Sequence, residues 1–208
     1  MTKKIKSWNE FYNEEITLKD FLGNLYTCEL FQEIIDNKPK RILEVGSGTG
    51  VMAILLSHLG YEVVSIDNNR KVLKLAKENN KKFNGKVKFE YGNAFKMKYK
   101  DNAFDLAYSQ GFYEHFDNLK IKELVDEQLR VCKKTVVVSV PNNNYPEKDV
   151  GNERLMPLKF WILLLQKLSK KPVIGQDYQF MLRKNKPFRT IYNLITNKKV
   201  MSLVTIKK

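Results

Sequence analysis

Cysteine and histidine are scarce in this chain of 208 residues, and each scarcity closes off a class of chemistry. The two cysteines, Cys28 and Cys132, fall in separate helical patterns. Two thiols build neither a disulfide framework nor a metal cluster, so a reducing cytoplasm is the expected setting. Long apolar runs are missing too. The most apolar stretch, Leu155 to Leu168, is broken by Pro157, Lys159 and Gln166, and it falls short of the roughly 20 residues a membrane span needs. Met1-Thr2-Lys3-Lys4 is basic but leads into Trp8-Asn9-Glu10, so no secretory leader is expected. Internal repeats and low-complexity linkers are absent, and the length fits one domain with a real core.

Acidic residues are outnumbered: 37 Lys and Arg against 23 Asp and Glu give +14. The surplus is uneven. From Lys167 onward, 11 basic residues meet one acid, Asp177, for +10, which leaves +4 for the first 166 residues. Either this segment contacts a polyanion such as nucleic acid or an anionic membrane surface, or its lysines simply solvate an ordinary surface.

What the chain does have is a glycine turn, Ile42-Leu43-Glu44-Val45-Gly46-Ser47-Gly48-Thr49-Gly50. An apolar run ends at an acid, three glycines alternate with small hydroxyl residues, and a helical pattern follows. Backbone without Cβ atoms turns sharply and lets a ligand lie against the main chain. A dinucleotide fingerprint places its third glycine five residues after the first; here Gly50 is four after Gly46, so a nicotinamide site is the weaker reading. A second strand, Tyr61 to Ile66, delivers Asp67 at its carboxyl end, 21 positions after Gly46. That is where an open α/β sheet holds a carboxylate for a ribose diol.

Around this turn, periodicity predicts helices over Phe21–Asp36, Gly50–Leu59, Asn69–Lys82 and Leu119–Cys132, and strands over Arg41–Val45, Val87–Tyr91, Phe104–Tyr108 and Thr135–Val140. Strands apolar throughout and alternating with helices argue for a parallel sheet covered on both faces. Beyond Pro141 the pattern thins. A helix is expected within Glu153–Ser169 and a closing strand at Met201–Ile206, with Tyr192–Thr196 as its candidate partner.

The acid before the glycines, the turn and Asp67, in that order and spacing, resemble the class I S-adenosylmethionine-dependent methyltransferases. The resemblance runs from Arg41 to about Asn142. It implies a Rossmann-like, seven-stranded, mostly parallel sheet with helices on both faces, a three-layer sandwich, and S-adenosylmethionine as cofactor. Glu44, Gly46, Ser47, Gly48 and Gly50 would then cradle its methionine part and Asp67 its ribose. Asn68, Asn93 and Ala94 (within Gly92-Asn93-Ala94) would meet the adenine. Asn93 replaces the family's usual aspartate, keeping an acceptor but no charge, and it reads equally as a turn residue. Arg130 to Lys134 also departs from the family, which has a Pro-Gly-Gly turn there.

Ligands in open α/β sheets sit beyond the carboxyl ends of the strands, which puts Ser109 to Phe116 at the site. Ser109 and Gln110 are expected at the cofactor, and Glu114-His115 resembles the small-molecule branch of the family. His115 is the candidate base, with Glu114 beside it; its other reading is packing at the strand exit. His58 reads as structural or exposed. Trp8, Phe11, Tyr12 and Tyr26 belong to an N-terminal segment that either covers the cofactor, with Tyr12 at its carboxylate, or pins a helix to the core. The expected division is a helical lid at 1–39, a cofactor core at 40–141, a substrate-side insertion at 142–180 and a basic segment with a closing strand at 181–208. The favoured function is methyl transfer to an O or N nucleophile of a small molecule. The alternatives are an RNA or ribosomal-protein methyltransferase gripping its substrate with the basic segment, and a binding module without catalysis. No metal is expected.

Overall fold

A computed structural model describes residues 5–12, 16–26, 28–180, 195–196 and 198–208. Seven strands form one sheet: β1 (Arg41–Val45), β2 (Glu62–Asp67), β3 (Lys88–Tyr91), β4 (Phe104–Gln110), β5 (Cys132–Pro141), β6 (Val173–Tyr178) and β7 (Met201–Lys207). Their order is β3-β2-β1-β4-β5-β7-β6. The first five pair in parallel, whereas β7 runs antiparallel to both β5 and β6. The expected Rossmann-like, mostly parallel sheet is the one observed.

The inner strands are largely apolar because both their faces are covered. Ile42, Val63, Leu106 and Val137 face α3 (Glu29–Asp36), α4 (Val51–His58) and α5 (Arg70–Lys82). Their neighbours Leu43, Val64, Ala107, Val136 and Val138 face α6 (Asn118–Val131) and α7 (Leu158–Ser169). Helix boundaries follow local chemistry. Asn69 caps α5 by accepting from the Lys71 and Val72 amides, and Asp117 caps α6 by accepting from the Lys120 amide.

Three expectations need correction. Phe21–Asp36 is two helices, α2 (Leu18–Tyr26) and α3. The first packs on α4 and the second on β5, so the chain changes direction between them. The start of α2 is set by Asp20, which accepts from the Thr17 amide and hydroxyl. Neither cysteine is helical: Cys28 lies in the turn between α2 and α3, and Cys132 opens β5. The partner of the closing strand is β6, inside the stretch taken for an insertion, and not Tyr192–Thr196, of which residues 192–194 lie outside the described residues. Among the described residues, no helix is long and apolar enough to cross a membrane.

Register also sets a buried polar cluster at the carboxyl edge of the sheet. Glu44 pairs with Ser65 on β2 and with Tyr108 on β4. Ser65 Oγ donates to Glu44 Oε2, and the Tyr108 hydroxyl donates to Oε1 at 2.7 Å. Ser65 Oγ also lies 2.8 Å from Ser47 Oγ, which ties the cluster to the glycine turn. Burial, with a smaller push from the charge of Asp67, raises the Glu44 carboxyl from 4.5 to about 7 against those two bonds.

Two outcomes follow from this packing. Trp161 is fully buried between α7 and the sheet, so Trp161→Ala should lower the urea midpoint with little change in slope, by about 3–5 kcal/mol. The folded protein keeps a proton on Glu44 that the unfolded chain has released between pH 4.5 and about 7. Stability from this group therefore falls as pH rises through that window. Glu44→Gln should flatten the decline by at most on the order of 3 kcal/mol, measured by urea unfolding across the same range.

Candidate active site

β1 and β4 are neighbours in the sheet although their crossovers lead to opposite sides, so a crevice opens beyond their carboxyl ends. The glycine turn occupies it. Gly48 has a φ of 48°, and a Cβ there would stand 3.0 Å from the Tyr12 hydroxyl. At Gly50 φ is 81° and a Cβ would meet the Phe89 ring at 2.7 Å. Both positions demand glycine: the first lets Tyr12 lie on bare backbone, the second lets α4 start tight against β3.

Asp67 stands at the end of β2. Its Oδ2 accepts from the Ser47 amide at 3.1 Å and its Oδ1 from the Asn69 amide at 2.8 Å. Burial raises its pKa against these amides and those of Gly48 and Asn68. A carboxylate presents two acceptor oxygens side by side, which is the chemistry a vicinal diol requires. A bare backbone turn beside a carboxylate is chemistry that fits S-adenosylmethionine.

A cavity of about 520 Å³ lies over the turn. Of the predicted residues, Glu44, Gly46, Ser47, Gly48 and Gly50 line it. So do Tyr12, Gln110, Glu114 and His115. Asp67, Asn68, Asn93, Ala94 and Ser109 do not. The Asn93 side chain folds back to accept from the Phe95 amide, as a turn residue does. Ser109 is wholly buried, so it sits beneath the crevice rather than facing it.

The roof is aromatic. α1 (Trp8–Phe11) is closed at its start by a capping box between Ser7 and Glu10. Trp8 stacks on Tyr12 with ring centres 5.9 Å apart and meets the His115 ring edge-on at 4.8 Å. The Lys6 amide donates to the Val150 carbonyl, joining this segment to the loop after β5. That loop supplies Tyr145, Asp149, Val150 and Glu153 to the cavity, and α2 supplies Asp20 and Asn24. Sequence reasoning missed these residues because the loop has no periodicity. The Thr17-Leu18-Lys19-Asp20 cap was the readable signal for α2.

A single 3-10 turn, Tyr113–His115, carries Glu114 and His115 off β4. His115 Nδ1 lies 2.7 Å from Asn152 Oδ1. Donation through Nδ1–H leaves Nε2 as the nitrogen with a lone pair. Burial lowers the His115 pKa, outweighing the bond to Asn152, so the ring is neutral at neutral pH. Among the described residues no group of His, Cys, Asp and Glu is arranged to hold a metal.

Comparison with known proteins bears on the same residues. Residues 42–135 match the family model described as a methyltransferase domain. A stretch of 98 residues is 31% identical to phosphoethanolamine N-methyltransferase 3 of Arabidopsis thaliana, covering 46% of this chain and 20% of that one. A stretch of 67 residues is 37% identical to a Methanocaldococcus jannaschii protein named for protein N5-glutamine methylation, covering 32% of this chain and 34% of that one. The chain thus spans a fifth to a third of the length of these relatives. A solved methyltransferase from Archaeoglobus fulgidus superposes with a TM-score of 0.67 at 17% identity, over 97% of this chain and 98% of that one. Fold and matched sequence converge on the turn and the strands that hold it: residues 42–135 carry the match to a methyltransferase domain, and S-adenosylmethionine is the cofactor that this match and fold imply.

Proposed function

We propose that the chain transfers the methyl group of S-adenosylmethionine to an O or N nucleophile of a small molecule, by direct in-line displacement. One observation carries this reading: the glycine turn and His115 line the same roofed cavity, whose roughly 520 Å³ is of small-ligand size. Bound there, the cofactor supplies an electrophilic methyl carbon on a sulfonium. Gly46 to Gly50 hold it through the backbone, Asp67 accepts from its ribose hydroxyls, and Asn68, Asn93 and Ala94 border its adenine. Glu44 keeps Ser65 and, through it, Ser47 in place. Trp8 and Tyr12 shed water from the reacting centre, and His115 Nε2 takes the acceptor's proton. Alignment and dryness supply much of the acceleration such a reaction needs.

The names of the relatives point to an amino alcohol ester in one case and to protein glutamine in the other, so the acceptor is argued from the cavity. Arg183, Lys184, Lys186 and Arg189 of the basic segment lie outside the described residues. They lend the RNA or ribosomal-protein reading no observation here.

Incubation with methyl-labelled cofactor and fractionated cell extract should put label in the small-metabolite fraction. Label confined to RNA or protein would refute the small acceptor. Asp67→Ala should weaken cofactor binding about 10- to 100-fold by calorimetry, for the loss of hydrogen bonds to a charged group. His115→Gln should lower kcat by about a hundredfold or more while leaving cofactor affinity unchanged. Wild-type kcat, measured at saturating acceptor, should fall only at acid pH, because burial lowers the His115 pKa.

A further inference from the structure

The chain carries +14, yet its cavity is acidic. Asp20, Glu44, Glu114, Asp149 and Glu153 line it, against Lys19 as the one Lys or Arg among the described lining residues. Four of these acids are engaged. Asp20 caps Thr17, and Glu44 holds Ser65 and Tyr108. Asp149 accepts from the Tyr145 hydroxyl at 2.8 Å, and Glu153 from the amides of Val150 and Gly151.

Glu114 differs. Its side chain is 3% exposed, and Oε1 lies 3.6 Å from His115 Nε2, too far for a hydrogen bond. Among the described residues Oε2 has no hydrogen-bond partner at all. Buried carboxyls are ordinarily satisfied, and one left open beside a cavity awaits a donor.

We propose, resting on the small-molecule reading above, that the acceptor is an amine that arrives as its ammonium ion and is held by Glu114, beside His115 Nε2, in the acidic end of the cavity. An ammonium brings the donors Oε2 lacks, and a cation is welcome beneath the faces of Trp8 and Tyr12. A carboxylate or phosphate acceptor would meet the like charges of Asp149 and Glu153 near this wall.

Proton accounting agrees with the geometry. Burial raises the Glu114 carboxyl to about 8, and the charges of Glu153 and Asp149 add to the push. Glu153 itself is held low by the Val150 and Gly151 amides against its own burial. His115, neutral at neutral pH, does not compensate them. Tyr178 of β6 feels the charge of Glu114 but keeps its hydroxyl bonded to Ser139. Arg154 meets Glu114 only through its backbone amide, its guanidinium being turned to the Phe116 carbonyl and Asn118. Glu114 therefore stays protonated in the empty cavity, and an incoming ammonium drives that proton off. His115 Nε2 then accepts one proton from the ammonium. The nitrogen lone pair so freed forms the N–C bond to the methyl as the C–S bond breaks, and that electron pair leaves with the thioether sulfur. The acceptor departs as the N-methylammonium ion.

The test uses the intact chain saturated with the demethylated cofactor. Butylamine and benzylamine are titrated at neutral pH, each against the alcohol of the same skeleton, in buffers of different ionisation enthalpy. The amines should bind at least about tenfold tighter than the alcohols, since the contact is to a charged group. Each amine bound should release close to one proton. Glu114→Gln should abolish the release and the preference together while binding the demethylated cofactor within about twofold of wild type, which shows the fold intact. Alcohols binding as well as amines, neither class binding, or proton release on adding the cofactor alone overturns the proposal; the wild-type comparison decides even if the variant does not fold. Label passing from the cofactor to neutral small molecules but not to amines overturns it while leaving small-molecule methylation standing.

Discussion

Parallel pairing of β1 with both β2 and β4 sets Glu44 opposite Ser65 on one side and Tyr108 on the other. That register governs the rest of the site. A carboxyl in the middle of a parallel sheet is tolerated only with partners for both oxygens, and each neighbouring strand supplies one. The reach of Ser65 to Ser47 carries the constraint into the turn. The amides of Ser47 and Asn69 then fix Asp67. A one-residue slip of either strand would turn these partners to the opposite face of the sheet. The glycines give the turn its shape, but its position comes from the strands.

Charge is partitioned in the same economical way. The surface carries the excess of lysine and arginine, while carboxyls gather under the roof. Net charge therefore says little about what the cavity takes in: it describes long-range encounter, whereas binding is decided by a few desolvated groups. Two of the engaged cavity acids are held by backbone amides, Asp20 at the start of α2 and Glu153 in the loop after β5. Their negative charge is thereby built into the local fold.

Legibility in the sequence tracked how local the determining physics is. β1, α4, β2 and α5 could be read because apolar periodicity and a positive-φ turn act over a few residues. The break between α2 and α3 could not, since both halves keep an amphipathic pattern and only their different packing partners separate them. β6 was hidden for a related reason. Val173–Tyr178 has only Tyr178 buried, as an edge strand can, so it shows no apolar run. At the site, Glu44 was evident from its place near the end of a strand, Gly48 and His115 from theirs beyond one. Tyr145, Asp149 and Glu153 were not, because a loop carries no period to announce which side chains turn inward. Asn93 matched a family pattern, yet its side chain is spent within its own turn.

The chain has two tryptophans, and they occupy opposite circumstances. Trp161 is sealed between α7 and the sheet, whereas Trp8 sits in a four-residue helix that leans on Tyr12 and His115. So short a helix has no stability of its own and takes its order from what it covers. The intrinsic fluorescence of the molecule is thus divided in two. One indole reports on the integrity of the fold, and the other on what lies between the roof and the glycine turn, so the two processes can be followed in unlabelled protein with each residue as the other's control.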